Sequence, residues 1–334
     1  MAKRYFYLLN KVFILNKKGD VVRSFLLILV YIFMNQTSAQ IVLKSIEKLD
    51  IPGSEEWFMP IFSPDGSKIY ITNTKYNGIW EYDLVKKSLR QITSDPGSGY
   101  DFDFSDDGQN IVYRKSLYQK GSNTRLQEIY SVNLRTLKKV KVASGDDLRN
   151  PTYIKSSIVY GSKSEIKGMN KIDLLNTTKV IGIELGKIVI FHNGEKKILD
   201  PLGTGSYIWP TLSPDKTKLV AVSPGYGAFI CDIEGNVITN LGKANYPQWT
   251  RDGKWIIYMD DIDDGHFILS SEIMAIYTDG KQKFALTSTP NVIEMYPSVS
   301  PKENKIVCSS LDGTIYLLTY NLIESNEKSD KKIN

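Results

Sequence analysis

Six copies of one short segment recur along the 334-residue chain, most of them followed at once by an apolar run rich in Ile, Val and Tyr. No sustained helical period follows residue 39. Together these observations predict an all-β chain: a six-bladed β-propeller of four-stranded antiparallel blades, closed by an N-terminal strand. The 20 tyrosines point the same way, because aromatic residues favour strands.

The clear copies are Met59-Pro60-Ile61-Phe62-Ser63-Pro64-Asp65-Gly66, Trp209-Pro210-Thr211-Leu212-Ser213-Pro214-Asp215-Lys216, Tyr246-Pro247-Gln248-Trp249-Thr250-Arg251-Asp252-Gly253 and Tyr296-Pro297-Ser298-Val299-Ser300-Pro301-Lys302-Glu303. Asp101-Phe102-Asp103-Phe104-Ser105-Asp106-Asp107-Gly108 and Asn150-Pro151-Thr152-Tyr153-Ile154-Lys155 are degenerate versions. Their second positions fall at 60, 102, 151, 210, 247 and 297, steps of 42, 49, 59, 37 and 50 residues. That is the size of a four-stranded blade. In each copy a short strand runs into a tight turn, of Pro-Asp-Gly type in the clear ones. Proline presets φ, aspartate bonds its own backbone and glycine takes the left-handed position. A second strand follows, such as Ile69-Tyr70-Ile71 or Ile256-Ile257-Tyr258, and then a third, which the third copy places at residues 168–173. The last copy has three strands before a polar tail at 323–334, while Ile41 to Lys48 has no blade of its own. Pairing the two removes both open edges.

The formal charge of +5 belongs to the first 39 residues, where Lys3, Arg4, Lys11, Lys17, Lys18 and Arg23 face only Asp20. The remainder holds 36 basic and 36 acidic residues. A neutral body has no footprint for a phosphate backbone, so nucleic acid is not an expected partner. The apolar run Ser24 to Met34 follows the basic stretch and precedes the small residues Thr37 and Ala39, the layout of a secretory signal over 1–39. A run of 11 residues is too short to span the bilayer as a helix, so no membrane insertion is expected after cleavage, the alternative being an uncleaved membrane anchor. The propeller, residues 40–322, is expected as a monomer in a periplasm or outside the cell. Cys231 and Cys308 lie in different repeats, inside strand-like runs, and read as buried free thiols.

Over residues 55–320 the Pro-x-aromatic-Ser-Pro-Asp-Gly repeats resemble those of TolB-like propellers, cousins of the WD-repeat propellers. The Ser38-Ala39-Gln40 junction resembles signal peptides of the Bacteroidetes. The resemblance implies the propeller fold and a binding or scaffolding role. Similar blades occur in prolyl-oligopeptidase-like peptidases and oligogalacturonate lyases. The α/β domain that precedes the propeller in TolB has no counterpart in the roughly fifteen residues between position 39 and the first blade.

Enzyme chemistry finds few of its requirements met. The Gly-x-Ser-x-Gly elbow of a peptidase is absent, and Gly203-Thr204-Gly205-Ser206 reads as a turn. Ser-x-Asp-x-Gly boxes of sialidases are absent too. His192 and His266 are too few for the histidine cluster that the lyase family uses. A glycosidase needs only two carboxylates. The expected function is therefore non-catalytic binding of a protein partner or a glycan, without a required cofactor. The alternative is a carbohydrate-active enzyme using a carboxylate pair at the channel mouth.

Two groups of residues are candidates for that binding. The residue before each proline position opens an innermost strand, so Met59, Asp101, Asn150, Trp209, Tyr246 and Tyr296 should ring one mouth of the central channel, with Tyr207 nearby. Aromatic faces there suit sugar rings or peptide side chains, the alternative being that the Trp and Tyr rings pack against the first turn of the neighbouring blade. The second group is Asp260-Asp261-Ile262-Asp263-Asp264-Gly265-His266, an acidic loop assigned to the fifth blade. Its carboxylates suit Ca²⁺, with His266 aimed at a ligand beside them. The alternative is a hairpin tip whose aspartates bond their own backbone.

Overall fold

The computed structural model describes residues 39–53, 55–118, 125–162, 165–168 and 176–323. Nearly all of the segment expected as a signal at 1–39, most of the polar tail and most of the strand expected at 168–173 lie outside the described residues. By compactness, residues 41–321 form one unit; residues 1–40 with 322–334 form another, of which only Ala39, Gln40, Leu322 and Ile323 are described.

The first strand is β1 (Gln40–Lys48). Blade 1 comprises β2 (Trp57–Phe62), β3 (Lys68–Asn73), β4 (Ile79–Asp83) and β5 (Ser88–Thr93). Blade 2 comprises β6 (Asp103–Phe104), β7 (Asn110–Tyr118), β8 (Arg125–Asn133) and β9 (Lys139–Gly145). Blade 3 is β10 (Leu148–Ile154), β11 (Ser157–Ser162) and β12 (Glu165–Lys167), and blade 4 is β13 (Thr178–Glu184), β14 (Lys187–His192) and β15 (Glu195–Leu199). Blade 5 holds β16 (Ile208–Leu212), β17 (Lys218–Ser223), β18 (Gly227–Asp232) and β19 (Val237–Gly242). Blade 6 holds β20 (Asn245–Trp249), β21 (Trp255–Asp263), β22 (Ile268–Tyr277) and β23 (Lys283–Ala285). Blade 7 is β24 (Glu294–Val299), β25 (Lys305–Ser310) and β26 (Ile315–Ile323), with β1 as its outer strand.

The propeller therefore has seven blades, where the repeat count predicts six. Blade 4 fills the 59-residue step between Pro151 and Pro210. Its innermost strand carries no proline and ends at Leu185-Gly186, both at positive φ (49° and 77°), instead of a Ser-Pro-Asp-Gly turn. Such a two-residue turn matches the twist of a hairpin without the repeat's signature. Blades 3 and 4 each show three strands among the described residues, and the third strand of blade 3 is Glu165–Lys167. The N-terminal strand closes the ring as expected, on the seventh blade.

The second strand of each blade shows why the runs are apolar throughout. Leu219 and Ala221 pack with blade 4, and Val220 and Val222 pack with blade 6. Tyr70 faces blade 2, and Ile69 and Ile71 face blade 7. A sheet sandwiched between two others buries both faces, so alternation disappears. Cys231 and Cys308 are buried free thiols in blades 5 and 7.

The turns after the innermost strands are held by a repeated hydrogen-bond set. Ser213 Oγ donates to Asp215 Oδ1 (2.5 Å) and accepts from the Lys218 amide (3.0 Å). Ser63/Asp65, Ser105/Asp107 and Thr250/Asp252 repeat the first contact at 2.5–2.6 Å. Asp103 joins three blades, accepting from Thr152 Oγ1 (2.5 Å), the Tyr153 amide (3.0 Å) and Lys179 Nζ (2.8 Å).

Ile41 is 1% exposed in the closing strand. Ile41→Ala should destabilise the protein by about 2–4 kcal/mol in urea denaturation. A loss no larger than that of a surface strand substitution would show that closure does not depend on β1.

Candidate binding face at the channel mouth

The residues expected at the mouth share an unusual backbone. Met59, Asp101, Asn150, Trp209, Tyr246 and Tyr296 lie at φ of 48°, 64°, 46°, 52°, 51° and 55°. At all but Asp101 the ladder slips by one residue, the signature of a β-bulge. Asp101 sits just before β6. In blade 4 the slip falls between Val180 and Gly182, where an added Cβ would lie 2.1 Å from Asn150 Nδ2. The Asn150 amide thus covers the neighbouring innermost strand. A left-handed conformation costs a non-glycine residue about 1–2 kcal/mol, so the repeat holds six side chains in place against local preference.

The bulges bring aromatic rings from successive blades into contact. Trp209 meets Tyr246 at 5.7 Å between centroids, and Tyr246 meets Tyr296 at 5.4 Å, both edge to face. Tyr246 also lies within electrostatic reach of Asp101, Tyr76 and Tyr100, so side chains of blades 1, 2, 5, 6 and 7 gather at one end of the channel.

Tyr76 and Tyr100 carry no repeat signal and were not expected there. Tyr76 sits in the β3–β4 hairpin, and Tyr100 in the loop entering blade 2, with their rings 5.3 Å apart. That loop is laid onto the hairpin: the Gly99 amide donates to Tyr76 O (3.0 Å) and the Gly97 amide to Asn77 Oδ1 (3.1 Å). Glycine is required at position 99, where a Cβ would fall 1.8 Å from Thr72 Oγ1 and 2.8 Å from Gly78 O. The adjacency of Gly99-Tyr100 to Asp101 is the one sequence hint.

Asp101 is open to channel solvent, yet protein walls surround it, and this desolvation raises its pKa while Arg114 opposes the rise. No hydrogen bond or ion pair to its side chain is made among the described residues. Tyr207, expected near the mouth, is 1% exposed and belongs to the core. Its hydroxyl donates to Asp200 Oδ1 (2.8 Å) and accepts from the Leu202 amide (2.7 Å), so it anchors the blade 4–5 connection.

The acidic segment lies in blade 6, not blade 5, and most of it is strand. Its four carboxylates do not converge. Asp260 pairs with Lys243 (3.5 Å), and Asp261 is buried and accepts from Asn245 Nδ2 (2.8 Å). Asp263 accepts from the Gly265 amide (2.8 Å), and Asp264 from the His266 and Phe267 amides (2.9 and 2.8 Å). Those backbone donors lower the Asp264 pKa. Alternate strand residues point to opposite faces, which separates Asp260 from Asp261. Among the described residues no group of three or more His, Cys, Asp or Glu is placed to hold a metal. His266 is exposed at the hairpin tip. The hairpin instead presents Ile262, Phe267 and Leu269, which are 58%, 73% and 58% exposed. Asp261 bears on Tyr296, so the hairpin rises beside the mouth.

A buried carboxylate lies close by. Glu294, at the start of β24, is fully buried; Thr289 Oγ1 donates to one oxygen, and the other has no partner among the described residues. Desolvation, with Glu272 adding repulsion, pushes its pKa up to about 7.

At the opposite end of the innermost strands, a cleft of about 850 Å³ opens between the turns of blades 1 and 2. Its central acid is already satisfied: Glu81 takes Lys68 (3.0 Å), Arg90 (2.9 Å) and the Tyr70 hydroxyl (2.6 Å). Asp65 is held by Ser63 and Ser67, and Asp107 by Ser105. The acids that line the cleft are thus engaged within their own blades.

No protein-family model and no curated protein matches the chain. Among solved structures, the β-propeller domain of Cps50 (Swd1) from Myceliophteria thermophila is similar with a TM-score of 0.55 at 9% identity, covering 82% of this chain and 99% of that one. TolB from Acinetobacter baumannii is similar with a TM-score of 0.47 at 21% identity, over 70% of this chain and 55% of that one. The chain thus spans about half the length of that TolB. An oligogalacturonate lyase from Vibrio parahaemolyticus gives 0.47 at 14% identity, over 80% and 79%. The first of these likenesses shows the propeller fold, and no more.

Gly99→Ala should lower stability by about 1–3 kcal/mol through overpacking, read from thermal melts. Thr72→Ala in the same chain should recover part of the loss, since Thr72 Oγ1 is the first atom struck; no recovery would place the clash elsewhere. Glu294 titrates near 4.5 when unfolded and near 7 when folded, so its contribution to stability falls as pH rises between those values. Glu294→Gln should therefore stabilise the protein by about 2–3 kcal/mol at pH 8 and by almost nothing near pH 4.5. Equal gains at both pH values in chemical denaturation would show that the buried charge is not the cause.

Proposed function

We propose that this protein is a non-catalytic, exported binding propeller that docks a protein partner on the face carrying the aromatic mouth. The observation that carries the reading is the set of six left-handed residues at the head of the innermost strands, which holds Asp101, Trp209, Tyr246 and Tyr296 at one end of the channel against backbone preference. Strain retained at a cluster of side chains is a feature of functional sites.

Three further features favour a protein over a glycan and over catalysis. Trp209 and Tyr296 each pack edge to face with Tyr246, at interplanar angles of 65° and 76°, so the three rings do not form the flat parallel platform on which a sugar ring stacks. The neighbouring hairpin offers Ile262, Phe267 and Leu269 as exposed apolar contacts. A glycosidase needs two carboxylates facing one substrate. Here Asp103, the acid that bears on Asp101, is engaged by Thr152, Tyr153 and Lys179, and Glu294 is closed off from solvent. The exported location rests on the N-terminal pattern of a basic stretch, an apolar run and small residues.

A photo-cross-linking side chain placed at Tyr100 or Phe267 should capture one and the same protease-sensitive partner in native cells. The same group at Val85, 83% exposed on the β4–β5 turn at the other end, should not. Capture from Val85 alone, or equally from all three positions, would overturn the assignment of the face.

A further inference from the structure

The chemistry of the mouth narrows what it can hold. Asp101 is a carboxylate without a hydrogen-bond or ion-pair partner among the described residues, set in a wall of electron-rich rings. Arg114 is the cation that bears on it, and Arg114 Nη1 donates to Leu148 O (2.9 Å). The other charges acting on this group are acidic: Asp103 on Asp101, and Asp261 on Tyr296. Tyr76, Tyr100 and Tyr296 all bear on Tyr246, so four phenol rings and one carboxylate border a common space. An anion would meet repulsion there. A neutral group would displace water from Asp101 and leave its charge unpaired. A compact cation would meet both the carboxylate and the negative faces of the rings.

Taking the mouth as the docking site, we propose that it receives an alkylammonium group, presented by the partner as a lysine side chain and held by Asp101 together with Tyr76, Tyr100, Tyr246 and Tyr296. The cation occupies the channel entrance, and the hairpin residues Ile262, Phe267 and Leu269 contact the polypeptide that carries it.

The test uses the intact protein, titrated by calorimetry and tryptophan fluorescence with Nα-acetyl-lysine methylamide. The norleucine analogue serves as the uncharged counterpart and maltohexaose as a neutral glycan. The lysine probe should bind saturably and at least about tenfold more tightly than norleucine. Asp101→Asn and Tyr246→Leu should each weaken it by about tenfold, whereas Asp279→Asn, on the β22–β23 turn, should change nothing. Should Tyr246→Leu fail to fold, Tyr76→Leu in the β3–β4 hairpin supplies the same reading. Norleucine binding as tight as lysine, or lysine affinity that survives Asp101→Asn, overturns the cation assignment. If maltohexaose or norleucine binds and Tyr76→Leu abolishes it, the mouth remains a docking site and the ammonium does not. Absence of lysine binding also overturns the proposal, and the cross-links from Tyr100 and Phe267 then decide the docking face independently.

Discussion

Every sheet in this ring is pressed between two others, and that constraint governs the rest. The second strands of the blades divide their side chains between two cores, as Leu219 and Ala221 do on one face and Val220 and Val222 on the other. A sheet buried on both sides cannot supply polar positions for recognition. The freedom to present functional side chains is left to the two ends of the channel, where strands begin and turn. The ring also has to close, and β1 supplies the fourth strand of blade 7, covering the edge of β26.

The two ends meet that freedom in opposite ways. At one end the turns after the innermost strands satisfy themselves: Ser63 with Asp65, Ser213 with Asp215, and Glu81 with Lys68, Tyr70 and Arg90. These polar groups are satisfied within their own turns and blades and leave little chemistry to offer a ligand. At the other end, bulged residues stand in left-handed conformations, Asp101 has no ion-pair partner among the described residues, and an apolar hairpin reaches into solvent. Stability is concentrated on one face and unsatisfied chemistry on the other, as expected where a site is maintained at some cost to the fold.

Buried charge follows the same division. Asp103 holds three blades together because each of its contacts donates a hydrogen to it. Glu294, fully buried with one orphaned oxygen and Glu272 beside it, is neutral or charged according to pH near 7. It lies two residues before Tyr296 in β24, so the electrostatic state of the blade 6–7 junction adjoins the mouth without being open to solvent.

Much of this was legible in the residues alone. The repeat, the all-β character, the closing strand and the positions heading the innermost strands follow from local rules: proline and glycine at turns, and apolar runs at doubly buried strands. The seventh blade was not legible, because Thr178–Glu184 reaches its bulge through Gly182 and its turn through Leu185-Gly186, which satisfy the same geometry with other residues. Tyr207 and the acidic segment were misplaced for a related reason. Sequence proximity put Tyr207 beside the mouth and four carboxylates around one point, whereas strand alternation and hydrogen bonding send each to a separate partner. Tyr76 and Tyr100 join the mouth only because two loops from different blades lie against each other at Gly99. Local rules marked the strands and the leading residues of six repeats, because the backbone preferences of proline, glycine and apolar runs act over a few residues. The number of blades that close the circle and the side chains that meet at its centre depend on contacts between residues far apart in the chain, which no local rule reports.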